Sequence, residues 1–126
     1  MEKEKYQLEF ELRSAPQILW NRLASPSGLA EWFAHDVNIK DGIYTFSWDG
    51  ADEEAKLLDK KTEEYIRLQW LEDEGTDCFF EMRITIDKIT KEVALNITDF
   101  AEPDEVDSAQ RLWESQIHEL QHILGS

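Results

Sequence analysis

His118 and His122 stand four residues apart, the interval that puts two imidazoles on one helical face where they can share a metal ion. At about 100° per residue, however, both point away from the apolar positions Trp113, Ile117 and Leu120. Their neighbours are Glu114, Glu119 and Gln121, and no motif supplies a third ligand. The pair therefore reads as part of a solvated face, and no metal or other cofactor is expected. His35 differs, because it follows Trp32-Phe33 where helical spacing gives way to strand alternation. A strand beginning at His35 would place it on the face of Val37 and Ile39, at the mouth of an interior cavity. A turn histidine is the preferred alternative. Asp99 has the parity of Val93, Leu95 and Ile97, which makes it an inward polar group unless the strand has already bent outward; both readings stand.

Cys78 follows an acidic turn, and no Lys, Arg or His adjoins it to favour the thiolate, so it is not read as a nucleophile. No glycine-rich phosphate loop, no Ser-His-Asp ordering and no Cys-x-x-Cys pair is present. With 28 acidic residues, pairs of carboxylates arise by chance and signal nothing.

The aromatic residues carry the positive signal. Five tryptophans are spread over the chain: Trp20, Trp32, Trp48, Trp70 and Trp113. Such rings are large enough to dominate a core. Those near one end of the fold, with Phe33, Phe46, Phe80 and Met82, are also candidates to line a pocket for an apolar or aromatic ligand.

The elements that must position these residues follow from periodicity. Tyr6, Leu8, Phe10 and Leu12 alternate with polar residues as in a strand with one wet face. Ser14-Ala15-Pro16-Gln17 has the form of a capping box opening a short helix with Ile18, Leu19, Trp20 and Leu23. Ser25-Pro26 starts a second short helix, expected to hold Leu29, Trp32 and Phe33. Val37 and Ile39, then Tyr44, Phe46 and Trp48, form strands separated by the turn Asp41-Gly42, and Asp49-Gly50 makes another turn. Further strands are expected at Ala55 and Leu57, Ile66 to Trp70, Phe80 to Ile86, and Val93 to Ile97. A long helix opens at Pro103-Asp104 and runs to Gly125, with Val106, Ala109, Trp113, Ile117, Leu120 and Leu124 as its apolar stripe. Six to seven antiparallel strands form a curved sheet with one apolar face, and the long helix is the element able to cover it. The expected class is α+β, with one domain over residues 1–126.

Composition narrows the partners. Net charge is −15, with 13 basic residues that form no cluster, which argues against nucleic acid and against an anionic membrane surface. No apolar run approaches a transmembrane length, the first residues do not resemble a signal peptide, and a lone cysteine suits a reducing compartment. The expectation is a cytoplasmic protein, monomeric or homodimeric. Its acids are expected to collect at turns, in Asp52 to Glu54, Glu72 to Asp77 and Glu102 to Asp107.

Ser14-Ala15-Pro16, Leu19-Trp20, Leu23, Ser25-Pro26, Leu29, Trp32-Phe33 and Asp41-Gly42 resemble the START-like, or SRPBCC, superfamily, and Trp113 matches a tryptophan near the start of its long C-terminal helix. Within it the pattern is most similar to the AHSA-type branch, related to a domain that activates a heat-shock chaperone ATPase. Asp41-Gly42 stands where that branch often has two glycines, and Phe100-Ala101 where it often has a glycine. The resemblance implies a helix-grip fold with a cavity between sheet and helix, and a polar residue near the ligand at Asp99. The implied ligand is a small hydrophobic or aromatic molecule. Pocket candidates are Trp32, Phe33, His35, Phe46, Trp48, Trp70, Phe80, Met82, Asp99, Trp113 and Ile117. The superfamily also leaves open a protein-interaction module, whose partner would be a protein, and a cyclase-like enzyme using His35 or Asp99 as acid–base.

Overall fold

A computed structural model describes residues 2–125. Its chain order is β1 (Glu4–Leu12), α1 (Pro16–Ala24), α2 (Pro26–Leu29), β2 (Asp36–Lys40), β3 (Ile43–Trp48), β4 (Ala51–Lys61), β5 (Tyr65–Trp70), β6 (Phe80–Ile86), β7 (Val93–Ala101) and α3 (Val106–Leu124). The strands form one seven-stranded antiparallel sheet in the order β1-β7-β6-β5-β4-β3-β2. Apart from β1, which closes onto β7 at the far edge, every neighbour in the sheet is joined by a hairpin or short loop. The apolar face of this α+β helix-grip fold is covered by α3, with α1 and α2 at one end.

Two hairpin turns follow the expected chemistry. Asp41 and Gly42 have φ of 51° and 78°, and Asp49 and Gly50 have φ of 46° and 83°, so both central residues of each turn are left-handed, the geometry that fits the twist of a tight hairpin. A bulge in β4 between Leu57 and Asp59 shifts its register against β5, the central strand of the sheet.

Three local expectations are corrected. Ser14 does not cap α1: Pro16 is the first helical residue, so the cap falls on Ala15, whose side chain has no acceptor. The box is one residue out of step. Ser25 does cap α2, accepting the Gly28 amide at 3.0 Å. That helix ends at Leu29, however, so Trp32 and Phe33 sit in the turn after it, held by amides of Phe33 and Ala34 donating to the Leu29 carbonyl. α3 begins at Val106 rather than at Pro103-Asp104 and ends at Gly125 with φ of 74°.

The core contains Leu19, Leu23, Leu29, Phe46, Ile66, Leu68, Phe80, Met82, Leu95, Ile97, Ile117 and Leu120, all essentially inaccessible to water. Not every acid belongs to the rim. Asp52 to Glu54 lie within β4, Asp73 is buried and bonded to Lys3 at 2.9 Å, and Glu81 is buried between Arg67 and Arg83. On that outer face Arg67 covers the Phe79 ring at 4.3 Å and Arg83 covers Tyr65 at 4.2 Å.

Candidate functional site

The turn after α2 is fixed from three sides. Trp32 Nε1 donates to the Arg22 carbonyl at 2.8 Å, tying the turn to the end of α1. The Phe33 carbonyl accepts Trp48 Nε1 from β3 at 2.8 Å and Gln116 Nε2 from α3 at 2.9 Å. Both lone pairs of that carbonyl are thereby engaged, and the Phe33 ring is held at a point where sheet, turn and helix meet. It lies 5.0 Å from the Phe46 ring, 5.6 Å from Trp48, 6.0 Å from Phe80 and 5.5 Å from Trp113. Trp70 joins the cluster 4.9 Å from Phe80 and 6.2 Å from Trp48.

Between these rings a hollow of about 260 Å³ opens to solvent, walled by Phe33, Trp48, Trp70 and Trp113 with Asp99, Glu53, Leu112 and Gln116. A larger depression of about 610 Å³ lies elsewhere, bordered by Glu2, Lys3, Asp73, Asp77 and Glu102 with Cys78 and Phe100. Most of the residues that border it are charged, and it contains one aromatic ring, that of Phe100. Size alone therefore does not pick the site; the smaller hollow has the aromatic walls that a bound organic molecule requires.

Asp99 is the organised polar group of the hollow. Its Oδ2 accepts Tyr6 Oη at 2.9 Å and Trp113 Nε1 at 2.8 Å, and its Oδ1 accepts the Phe100 amide at 2.8 Å. All three partners are donors, which is the environment of an ionised carboxylate. Burial raises the Asp99 pKa, opposed by these bonds and by the charge of Lys3. Burial and the Asp99 charge likewise push the Tyr6 hydroxyl well above the ordinary phenol range, so it stays a donor.

The pocket candidates separate into three groups. Phe33, Trp48, Trp70, Asp99 and Trp113 line the hollow. Trp32, Phe46, Phe80, Met82 and Ile117 are packed in the core and do not reach its wall. His35 is on neither: β2 starts one residue after it, its side chain is 65% exposed, and its Nδ1 accepts the Asp49 amide at 3.2 Å across the β3–β4 turn. His35 stands in the bend before β2, and Asp99 faces inward. Sequence reasoning did not select Glu53, Leu112 or Gln116. Glu53 has the parity of buried Ala55, a signal hidden by the acidic run around it. Gln116 follows Trp113 by three residues, on the edge of the apolar stripe.

His118 and His122 are both exposed, and among the described residues no three His, Cys, Asp or Glu side chains are grouped to hold a metal ion. No helix among them is long and apolar enough to cross a membrane.

The fold has many relatives among solved structures. A Bacteroides fragilis protein, determined by NMR, is 36% identical, over 98% of this chain and 92% of its own, with a TM-score of 0.68. The Aha1 dimer from Colwellia psychrerythraea superimposes with a TM-score of 0.80 at 12% identity, over 96% of each chain. An uncharacterised protein from Bacillus thuringiensis gives 0.82 at 10% identity, over 98% of this chain and all of the other. At such identities the last two speak for the fold alone. No curated protein matches the chain significantly. The family model for the START-like superfamily domain matches residues 1–126, in agreement with the seven-stranded sheet gripping α3, and the chain belongs to the START-like superfamily.

Proposed function

We propose that the protein binds a compact aromatic or otherwise apolar molecule in the hollow between the sheet and α3. The observation that carries this reading is a cavity of about 260 Å³ walled by four aromatic side chains around one pre-oriented carboxylate. A cavity of roughly 150 Å³ already takes up benzene, while drug-sized ligands need about 300 Å³ or more. The volume therefore suits a molecule of one or two rings better than a long-chain lipid. Affinity would come from apolar surface removed from water at about 25 cal/mol per Å², with Asp99 fixing orientation. Titration of a panel of one- and two-ring compounds, followed by tryptophan fluorescence and thermal melting, tests this. Saturable quenching with a raised Tm supports it, and a panel without any effect refutes it.

A protein-interaction role is the second reading. The fold likeness to the Aha1 dimer and the net charge of −15 favour it, since an acidic surface suits a basic partner or a second copy bound through a less charged face. Capture of a basic partner that weakens steeply with salt would support it. For a cyclase-like activity Asp99 is the remaining acid–base candidate, because His35 faces solvent.

A further inference from the structure

The polar groups around the hollow are unequal in sign. Of the three indole N–H groups on its wall, those of Trp48 and Trp113 are engaged by the Phe33 carbonyl and Asp99 Oδ2. Gln116 has one amide hydrogen committed to the same carbonyl, leaving its other amide hydrogen as a donor and its side-chain oxygen as an acceptor. Asp99 Oδ1 accepts a single bond and retains a lone pair. Glu53, on the concave face of β4, adds a second carboxylate at the mouth, and Glu54 and Glu72 border the adjoining depression together with Trp70. No Lys or Arg lines either space. Lys3, the cation whose charge reaches Asp99, is itself bonded to Asp73 at 2.9 Å. The walls add to this bias, because the face of an aromatic ring carries negative potential. Centroids of neighbouring wall rings lie 5.5 to 6.2 Å apart, so a group seated among them comes within about 6 Å of more than one ring.

We propose that the hollow is a cage for an organic cation, a substituted ammonium group held among Phe33, Trp48, Trp70 and Trp113 and balanced by Asp99 and Glu53. This rests on the reading of the hollow as a ligand site and adds the sign of the ligand's charge. A neutral apolar molecule would use the rings but leave the acceptors facing it unmatched. An anion would meet two carboxylates and no cation. A permanently charged or protonated amine engages rings and carboxylates together, which explains why the wall is aromatic rather than aliphatic.

The test compares choline with 3,3-dimethylbutan-1-ol, which has the same shape with carbon in place of the charged nitrogen, and benzyltrimethylammonium with indole. Each is titrated into the whole protein by calorimetry and tryptophan fluorescence. The expected result is that choline binds about tenfold or more tighter than its neutral counterpart, and that benzyltrimethylammonium binds tighter than indole. Asp99→Asn should remove most of the preference. Glu53→Gln, at an exposed position that the fold does not depend on, should reduce it about two- to threefold without changing the melt of the free protein. If the neutral counterparts bind as well as the cations, the charge preference is overturned while the ligand site stands. If no member of either pair binds, both readings fall.

Discussion

Replacing Tyr6 by Phe isolates one strut of the candidate site. The ring is 8% exposed and packs the same way in either residue, so the change removes a single hydroxyl whose partner is Asp99 Oδ2 at 2.9 Å. A hydrogen bond to a charged group contributes about 1.5–3 kcal/mol. Asp99 keeps two other donors and water can enter the hollow beside it, so the lower part of that range applies, about 1.5–2 kcal/mol. At this chain length that is a Tm lowered by about 5–8 °C. The pH dependence is a sharper test. In the folded protein the Asp99 pKa lies above its ordinary value of 3.8, burial being the main cause. The folded state then holds this proton more tightly than the unfolded state, so ionised Asp99 lowers stability at neutral pH, and that cost disappears as pH falls through the folded pKa towards 3.8. Tyr6 offsets part of the cost by solvating the ionised form. Tyr6→Phe should therefore be most damaging near neutrality and lose its effect once pH has fallen through the folded pKa to below 3.8. Urea unfolding followed by tryptophan fluorescence measures both points, and the same substitution in an Asp99→Ala background should cost less than about 0.5 kcal/mol. A loss that is equal at both pH values, or undiminished without Asp99, would refute the assigned network.

Other consequences concern the frame around the hollow. At Glu81 burial pushes the carboxyl pKa up, but hydrogen bonds and charges of Arg83 and Arg67 outweigh it and hold the folded pKa below the ordinary 4.5. Its stabilisation is present above about that value and lost as pH falls through the folded pKa, so Glu81→Gln should cost about 1–2 kcal/mol near neutrality and little in acid, read from urea midpoints at both pH values. Gly28→Ala would press a methyl group against the Asn21 carbonyl and within 2.8 Å of Arg22 Cα, backbone that cannot step aside. A loss of about 2–3 kcal/mol is expected, with a change in near-ultraviolet circular dichroism as the turn bearing Trp32 and Phe33 shifts. His35→Ala should leave any ligand affinity unchanged within about twofold, since its ring stands outside the hollow; calorimetry on the variant decides this.

Much of the fold was legible because alternation and helical spacing report the side of an element directly. Tyr6 to Leu12 and Ile66 to Trp70 show this in the sheet, and Trp113 to Leu120 shows it in α3. The misplaced features depend on offsets of one residue. The cap of α1 moved from Ser14 to Ala15 because Pro16 fixes where the helix begins, and His35 fell outside because β2 starts at Asp36. Within the candidate site, parity places a side chain on the inner face but does not say whether that face is filled or open at that point. Phe46, Phe80 and Met82 share the inner face with Trp48 and Trp70, yet other side chains cover the first three, while the last two border the hollow. Glu53 shows the converse: its parity was available, but its charge placed it with the solvated rim.

The hollow has a physical reason to remain open. Apolar layers close on one another until their side chains touch, unless something sets their separation. Beside the hollow α3 is held by two directional contacts, Trp113 Nε1 to Asp99 on β7 and Gln116 Nε2 to the Phe33 carbonyl in the turn after α2, and further along the helix Gln121 Nε2 donates to the Glu11 carbonyl of β1. Moving the helix inward to fill the space would bend or break bonds of 2.8 and 2.9 Å, one of them to a charged acceptor, and leave partly buried donors unmatched. Collapse would gain apolar burial at about 25 cal/mol per Å², so roughly 100 Å² of new contact would be needed to offset even one such loss of about 2.5 kcal/mol. Apart from the exposed Leu112 and Glu53, the lining beyond these contacts is rigid indole and phenyl, which cannot fold over to fill the gap as a flexible methionine would. The polar struts that orient Asp99 are therefore the same contacts that keep the aromatic walls apart, so the charge and the space of the candidate site have a common structural cause.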